Sequence, residues 1–358
     1  MKRIGYLENL RILACVLVVG VHVSAFCLEL LPVDSLRFFV MNGLDCLSIL
    51  GVPLFVMISG ALLLSPDYPE DTKKLYGRKI PKLIFLYFFW LCFYNIINFI
   101  ENGTVLNFEN VKQEIVLNTL LGKGIYHLWY LPMMVILYLL VPFLKSFAAD
   151  KGKCILFCLF CFGYSVFFPT ILKFDFPYRT IVESLYTQFD CSAFGGYAGY
   201  FMLGHLLHEY LPALSRKKMF ATGFAGAVAM GIEIAVCNLW SVKTGVLSTI
   251  LNTPFSITAF VAAGSIFVLF HGRAKQTDRT DQTGSTKQTA RAKLSALTLG
   301  IYLIHPFFLR VYGWLGGDTL FAPALVAVPL VVALLTAVSG IMVFALSKVP
   351  VLKKTVGM

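Results

Sequence analysis

Apolar residues gather along this chain in blocks of about twenty, separated by shorter polar stretches. At ~1.5 Å of rise per residue, a helix of that length matches the ~30 Å hydrocarbon core of a bilayer. Ten blocks qualify: Leu10–Leu31, Cys46–Leu64, Ile80–Ile100, Tyr126–Leu144, Cys154–Leu172, Ala193–His208, Met219–Trp240, Val246–Phe270, Leu294–Trp314 and Leu320–Leu346. The sixth is short and rich in glycine. The pattern predicts an all-α fold: a polytopic bundle of about ten transmembrane helices forming one domain over residues 1–358. Two connections stand out. The stretch from Glu101 to Ile125 is long, mixes apolar and polar residues, and is expected to be partly helical. Residues 271–293, which include TDRTDQTGSTKQTAR, read as a flexible, solvated cytoplasmic loop.

Composition agrees with the blocks. Of 358 residues, 58% are hydrophobic and 14% charged, against about 25% charged in soluble domains. The mean hydropathy is +0.77. The first block lacks a small-residue cleavage site and is long enough to span, so it reads as a helix and not as a removable leader. The net charge of +11 takes its meaning from its distribution. With the N-terminus inside, 22 of the 30 Lys and Arg fall in cytoplasmic pieces, six fall in the opposite loops, and Arg11 and Arg310 lie within spans. That asymmetry is the positive-inside rule, and it predicts both termini in the cytoplasm of a cell (cytoplasmic, inner) membrane protein. No recognition motif accompanies the charge, so nucleic acid is not an expected partner. Cys154, Cys158 and Cys161 share one face of an apolar helix without polar neighbours and read as small buried hydrophobes, so no metal or redox site is expected there.

The candidate chemistry starts in the first block, ENLRILACVLVVGVHV from Glu8 to Val23. Eleven helical steps separate Arg11 from His22, and at ~100° per residue the two side chains fall within about 20° of one face, roughly 16 Å apart along the axis. An ionisable group that deep in a membrane is a functional candidate by default, although an interhelical hydrogen bond is the plainer alternative. A buried imidazole kept neutral suits a general base. Arg11 reads either as an interface anchor or as a contact to a phosphate or carbonyl, with Glu8 one turn earlier placed to pair with it. Arg78, Lys79 and Lys82 open the third span, and the two lysines, three apart, share a face suited to a pyrophosphate. Pro53 predicts a kink in the second span, and Ser59-Gly60 a close helix approach. Asp45 is expected at the outer edge, facing an acceptor or water. His127 and Trp129, in YHLWYLP, read as an interfacial aromatic belt or as sugar contacts. Glu233 and His305 fall in hydrocarbon, so each needs a partner or a cavity.

Together these segments resemble the integral-membrane acyltransferase 3 family, which includes surface-polysaccharide O-acyltransferases. Arg11-x10-His22 matches the family's first-span signature, with Glu8 where aspartate is usual. GVPLFVMISGALLL resembles its second-span motif; Pro53 stands where many members have aspartate, as in the branch that acetylates enterobacterial common antigen. RKIPK at Arg78 to Lys82 resembles the family's basic RxxR, with Lys79 and Lys82 in place of both arginines. HLWYLPMMVILYLLVPFL, YFMLGHLL and LGIYLIHPF follow in family order. The resemblance implies transfer of an acyl group, acetyl above all, from a cytoplasmic acyl-CoA to a carbohydrate hydroxyl outside. His22 and Arg11 would be catalytic, and Arg78, Lys79 and Lys82 would bind the donor. Glu8, Asp45, His127, Trp129, Glu233 and His305 would stand in support or on the acceptor side. The expected partners are the bilayer, an acyl-CoA such as acetyl-CoA as donor substrate, and a carbohydrate acceptor, with self-association into a homo-oligomer left open and no permanently bound cofactor. Two other readings stay open: a transporter or flippase using the intramembrane His22, Glu233 and His305 as a path, and a membrane module serving a partner protein. The absence of an internal repeat speaks against the transporter.

Overall fold

The computed structural model describes residues 4–66, 72–189, 195–277 and 285–357, and regular structure among them is helical throughout. The principal helices are α1 (Gly5–Leu28), α2 (Leu36–Ser48), α3 (Gly51–Leu63), α4 (Ile80–Glu101), α5 (Tyr130–Ala148), α6 (Lys151–Phe162), α7 (Tyr197–Tyr210), α8 (Arg216–Thr244), α9 (Ile257–Thr277), α10 (Ser285–Trp314) and α11 (Ala324–Ser347). Among the described residues, nine helical stretches are long and apolar enough to cross a membrane, α2 and α3 counting as one broken span. The chain is a polytopic, all-α membrane bundle.

α1 is the helix around which the others assemble. It packs on α10, α2, α3, α11 and α9. Its Leu10 and Ala14 belong to one apolar cluster, built mainly from α3 and α5 to α9. Its Cys15, Val18, Val19 and Val23 belong to a second, built from α2, α4, α10 and α11. The periphery is apolar too: Phe143, Leu156, Phe220 and Ile341 are each about seven-tenths exposed, as a lipid-facing surface requires.

Where lipid and protein interior are equally apolar, helices associate through close packing, and glycine permits it. Gly51 lies against the Ala14 carbonyl and Val18 of α1. Gly60 and Gly204 mark the crossing of α3 and α7, where a Cβ on Gly60 would enter the Phe201 carbonyl oxygen and one on Gly204 the Met57 carbonyl oxygen. The expected close approach at Ser59-Gly60 is therefore present. The break in the second span falls at Ile49 and Leu50, just ahead of Pro53, which occupies the first turn of α3 where no N–H is needed.

Several boundaries differ from the sequence expectation. The second span begins at Leu36, ten residues before Cys46, because Ser35 caps α2 by accepting the Phe38 N–H at 3.1 Å. The eighth expected span, α9, begins at Ile257 and not at Val246. The stretch before it is apolar, and Leu251 is buried, but Thr253-Pro254 resists helix and Ser256 Oγ accepts the Ala259 N–H at 3.0 Å, which sets the start. The sixth span is a helix of 14 residues, α7, preceded by residues 190–194, which lie outside the described chain. Residues 101–125 contain helical turns over Phe108–Leu120, as expected. Of the loop expected at 271–293, α9 runs to Thr277 and α10 begins at Ser285, and the rest lies outside the described residues.

Candidate active site

Three histidines far apart in sequence meet near the C-terminal end of α1. His22 is half-buried. Its ring stacks on that of His305 from α10, with centroids 5.2 Å apart and planes 24° apart. His127 stands 6.3 Å from His22 and 5.9 Å from His305, edge to face with both. It lies in the short 3-10 turn His127–Trp129 ahead of α5. Tyrosines enclose the group. Tyr126 meets His22 at 5.1 Å, Tyr94 of α4 meets His127 at 5.2 Å, and Tyr302 meets both His127 and His305.

The hydrogen bonds give this cluster its chemistry. Tyr302 donates its hydroxyl to the His127 carbonyl, and Tyr94 donates to the Leu303 carbonyl at 2.8 Å. His305 Nδ1 lies 3.0 Å from the Ile301 carbonyl. A carbonyl only accepts, so Nδ1 carries the proton and the neutral ring presents a lone pair at Nε2. Among the described residues, that Nε2 and both ring nitrogens of His127 are buried without a hydrogen-bond partner. A buried polar atom left unpaired costs about 1–3 kcal/mol, so three of them side by side form a polar site fitted to a polar occupant. Among the described residues, no group of three or more His, Cys, Asp or Glu is arranged to hold a metal ion. Removing the Tyr302 hydroxyl by Tyr302→Phe should cost about 1 kcal/mol of stability and lower turnover more than substrate binding. Steady-state kinetics beside thermal unfolding would read both.

Arg310, one and a half turns beyond His305, fixes the rim. Its guanidinium donates to Asn98 at 2.7 Å and to Glu101 at 2.9 Å and lies 5.8 Å from the centre of the Tyr94 ring. Trp314 adds a bond to Glu101 at 2.9 Å. The stretch 101–125 is held against α4 by Asn95, which donates to the Lys123 carbonyl, and Asn98, which donates to that of Gly124.

The remaining expected residues are distributed as follows. Arg11 is half-buried on α1, six residues from its start, while His22 is six from its end. Arg11 enters no hydrogen bond or ion pair within the described residues, and the expected Glu8–Arg11 pair is not formed; one carboxylate oxygen of Glu8 is buried without a partner. Arg78 is exposed and Lys79 half-buried, in the wide turn Leu75–Lys79 that leads into α4. Lys82 lies within electrostatic reach of Lys79 and Lys353, but its ammonium donates to the Gly357 carbonyl at 2.7 Å. Beside it, Trp90 donates to the Thr355 carbonyl at 2.8 Å.

Two placements correct the sequence reading. Asp45 does not face water: it is buried, accepting from Ser24 and from Asn252 at 2.6 Å each. His127 is not part of an interfacial belt but sits inside the cluster. Trp129, two residues on, turns away to pack on Tyr197 at 5.5 Å and is absent from the histidine contacts. Glu233 has the partners that its place in hydrocarbon calls for: in a separate buried group it accepts from Thr258 at 2.6 Å and Ser256 at 3.2 Å. Tyr94, Tyr302 and Asn98 escaped the sequence reading. Tyr302, one turn before His305 in IYLIHP, carried a signal in its helical spacing.

Fold and cluster together define a multi-pass membrane protein with an imidazole site between its helices. The chain belongs to the acyltransferase 3 family: that family's model, described as an acyltransferase domain, matches residues 4–345. The protein is a membrane acyltransferase. The search of curated proteins and the search of solved structures each return no match.

Proposed function

We propose that the protein is an O-acyltransferase that takes an acyl group, acetyl by preference, from acyl-CoA at the Arg11 end of α1. It delivers that group to a hydroxyl of an envelope glycan or its lipid-linked precursor at the His22 end. The observation that carries this reading is the convergence of His22, His127 and His305, with three unpaired ring nitrogens, on the face of α1 that also carries Arg11. Roughly 16 Å of helix separates the two side chains, a gap that an extended pantetheine arm spans. Arg11, Arg78 and Lys79 would hold the nucleotide and its phosphates, and the charge distribution favours the cytoplasm for that end. The presence of Pro53 in the second-span motif supports acetyl as the group moved.

His22 acts as general base: it takes the proton of the acceptor hydroxyl as the oxygen attacks the thioester carbonyl. The C–S bond then breaks, and the leaving thiolate takes the proton from the imidazolium. In the alternative route His22 attacks the thioester itself and passes the acyl group on in a second step. Purified protein in proteoliposomes, given labelled acetyl-CoA and glycan, should yield an ester-linked label on the glycan. Glycan moving across the bilayer without acyl-CoA, and with no ester formed, would overturn the reading. Trapping of labelled protein without acceptor separates the two routes.

A further inference from the structure

A depression of about 650 Å³ opens at the same end of the bundle as the histidine cluster, apart from it. Leu172, Lys173 and Arg179 form one wall; Trp240, Ser248 and Thr249 contribute to the other. Among the described residues, no carboxylate lines it. The walls are braced to each other. Thr170 Oγ1 accepts the Ile257 N–H at 3.1 Å and Phe174 packs edge-on against Trp240 at 6.1 Å, while within the second wall the Ser248 N–H donates to Ser241 at 2.9 Å. Lys243, which is not among the lining residues, lies over the Trp240 ring at 4.8 Å. Arg179 is held in place by its bond to the Leu172 carbonyl at 3.0 Å and is shared with Glu183 at 3.4 Å. Lys173 forms no ion pair or hydrogen bond through its ammonium within the described residues.

We propose that this depression is the subsite for an acidic sugar of the acceptor, with the carboxylate or phosphate on Lys173 and Arg179 and a ring face on Trp240. The proposal rests on the acceptor being a glycan at this end of the bundle. An indole at a membrane surface offers an apolar face to the C–H side of a sugar ring, while guanidinium and ammonium groups bind oxyanions through charge-assisted hydrogen bonds. The hydroxyls of Ser248 and Thr249 supply neutral partners for ring hydroxyls. Burial pulls the Lys173 ammonium below the ordinary lysine value, with Cys237 and Glu233 acting the other way; an arriving anion would favour its charged form further.

The wall of the depression is tied to α1 through buried hydrogen bonds. The stretch that lines it continues to Asn252, which bonds Asp45. Asp45 in turn bonds Ser24, two residues beyond His22 on α1.

The test is calorimetric titration of the protein in phosphatidylcholine nanodiscs with trigalacturonate, glucose 1-phosphate and neutral maltotriose. One charge-assisted contact is worth roughly tenfold in affinity. The acidic probes should therefore bind at least about tenfold more tightly than maltotriose, with an advantage that shrinks as salt is raised. The arm that wins, uronate or phosphate, names the anion. Lys173→Gln should remove most of the advantage, and Lys173→Gln with Arg179→Gln all of it, at unchanged melting temperature; His22→Ala should keep it. Equal binding of acidic and neutral probes, or an advantage that survives Lys173→Gln, overturns the proposal. So does displacement of the probes by phosphatidylglycerol in the disc, which would assign the depression to lipid. No acyl donor enters the experiment, so its outcome is independent of whether transfer is observed.

Discussion

His22→Ala is expected to lower acyl transfer by about 10²–10⁴-fold, the range that positioned proton transfer contributes. The fold should be kept. His22 is half-buried and stacked on His305, so its loss removes a ring contact without exposing a buried charge. The melting temperature should fall by a few degrees, for a cost of about 1 kcal/mol. His22→Gln is the sharper control, because it keeps a hydrogen-bonding side chain of similar reach but no group that titrates near neutrality. If glutamine restores transfer, His22 positions the substrate and does not move a proton. His305→Ala tests the neighbour. It deletes the ring whose Nε2 lone pair is held ready by the Nδ1 bond to Ile301, and it should reduce transfer less than His22→Ala does. Transfer assays on both variants, normalised to folded protein, decide the order.

How far such a site is legible in sequence depends on what each residue's signal consists of. His22 and Arg11 were legible because both lie on one helix, where a fixed rotation per residue turns spacing into geometry. The spans were legible because crossing a bilayer is a property of a single segment. The convergence of His22, His127 and His305 was not, because packing between segments leaves no periodicity. His127 was read as interfacial because Tyr126 and Trp129 flank it, and those neighbours do face outward: Tyr126 is 60% and Trp129 45% exposed. Asp45 misled in the same way, a carboxylate near a span end whose partners, Ser24 and Asn252, come from two other segments. The start of α9 was missed because hydrophobicity outvoted the turn chemistry of Asn252, Pro254 and Ser256. A chain can be apolar enough for lipid and still be non-helical where it is buried in protein and its backbone is bonded.

The second large effect belongs to the helix crossing that shapes the interior. Gly60→Ala adds one carbon, and that carbon has no room: it would enter the carbonyl oxygen of Phe201, a backbone atom that no side-chain rotation can move. Gly204→Ala meets the Met57 carbonyl in the same manner from the other helix. Overpacking against side chains costs about 1–3 kcal/mol and more where the obstacle is rigid, so each variant should lose about 3 kcal/mol or more. Gly231→Ala in α8 is the contrast, because nothing lies within 4 Å of the added carbon. There alanine's better helix propensity should be neutral or gain up to about 1 kcal/mol. Apparent melting temperatures of the three variants in one detergent should therefore split, with Gly60→Ala and Gly204→Ala far below the parent and Gly231→Ala at or above it. If all three melt together, the close crossing of α3 and α7 is not what holds these helices. The consequence reaches the site through α1, whose Ala14 and Val18 pack on Gly51 at the start of α3. Pushing α3 outward at Gly60 loosens the surface on which the segment of α1 between Arg11 and His22 rests. Acyl transfer should then fall in the Gly60→Ala protein that remains folded, although residue 60 touches none of the histidines.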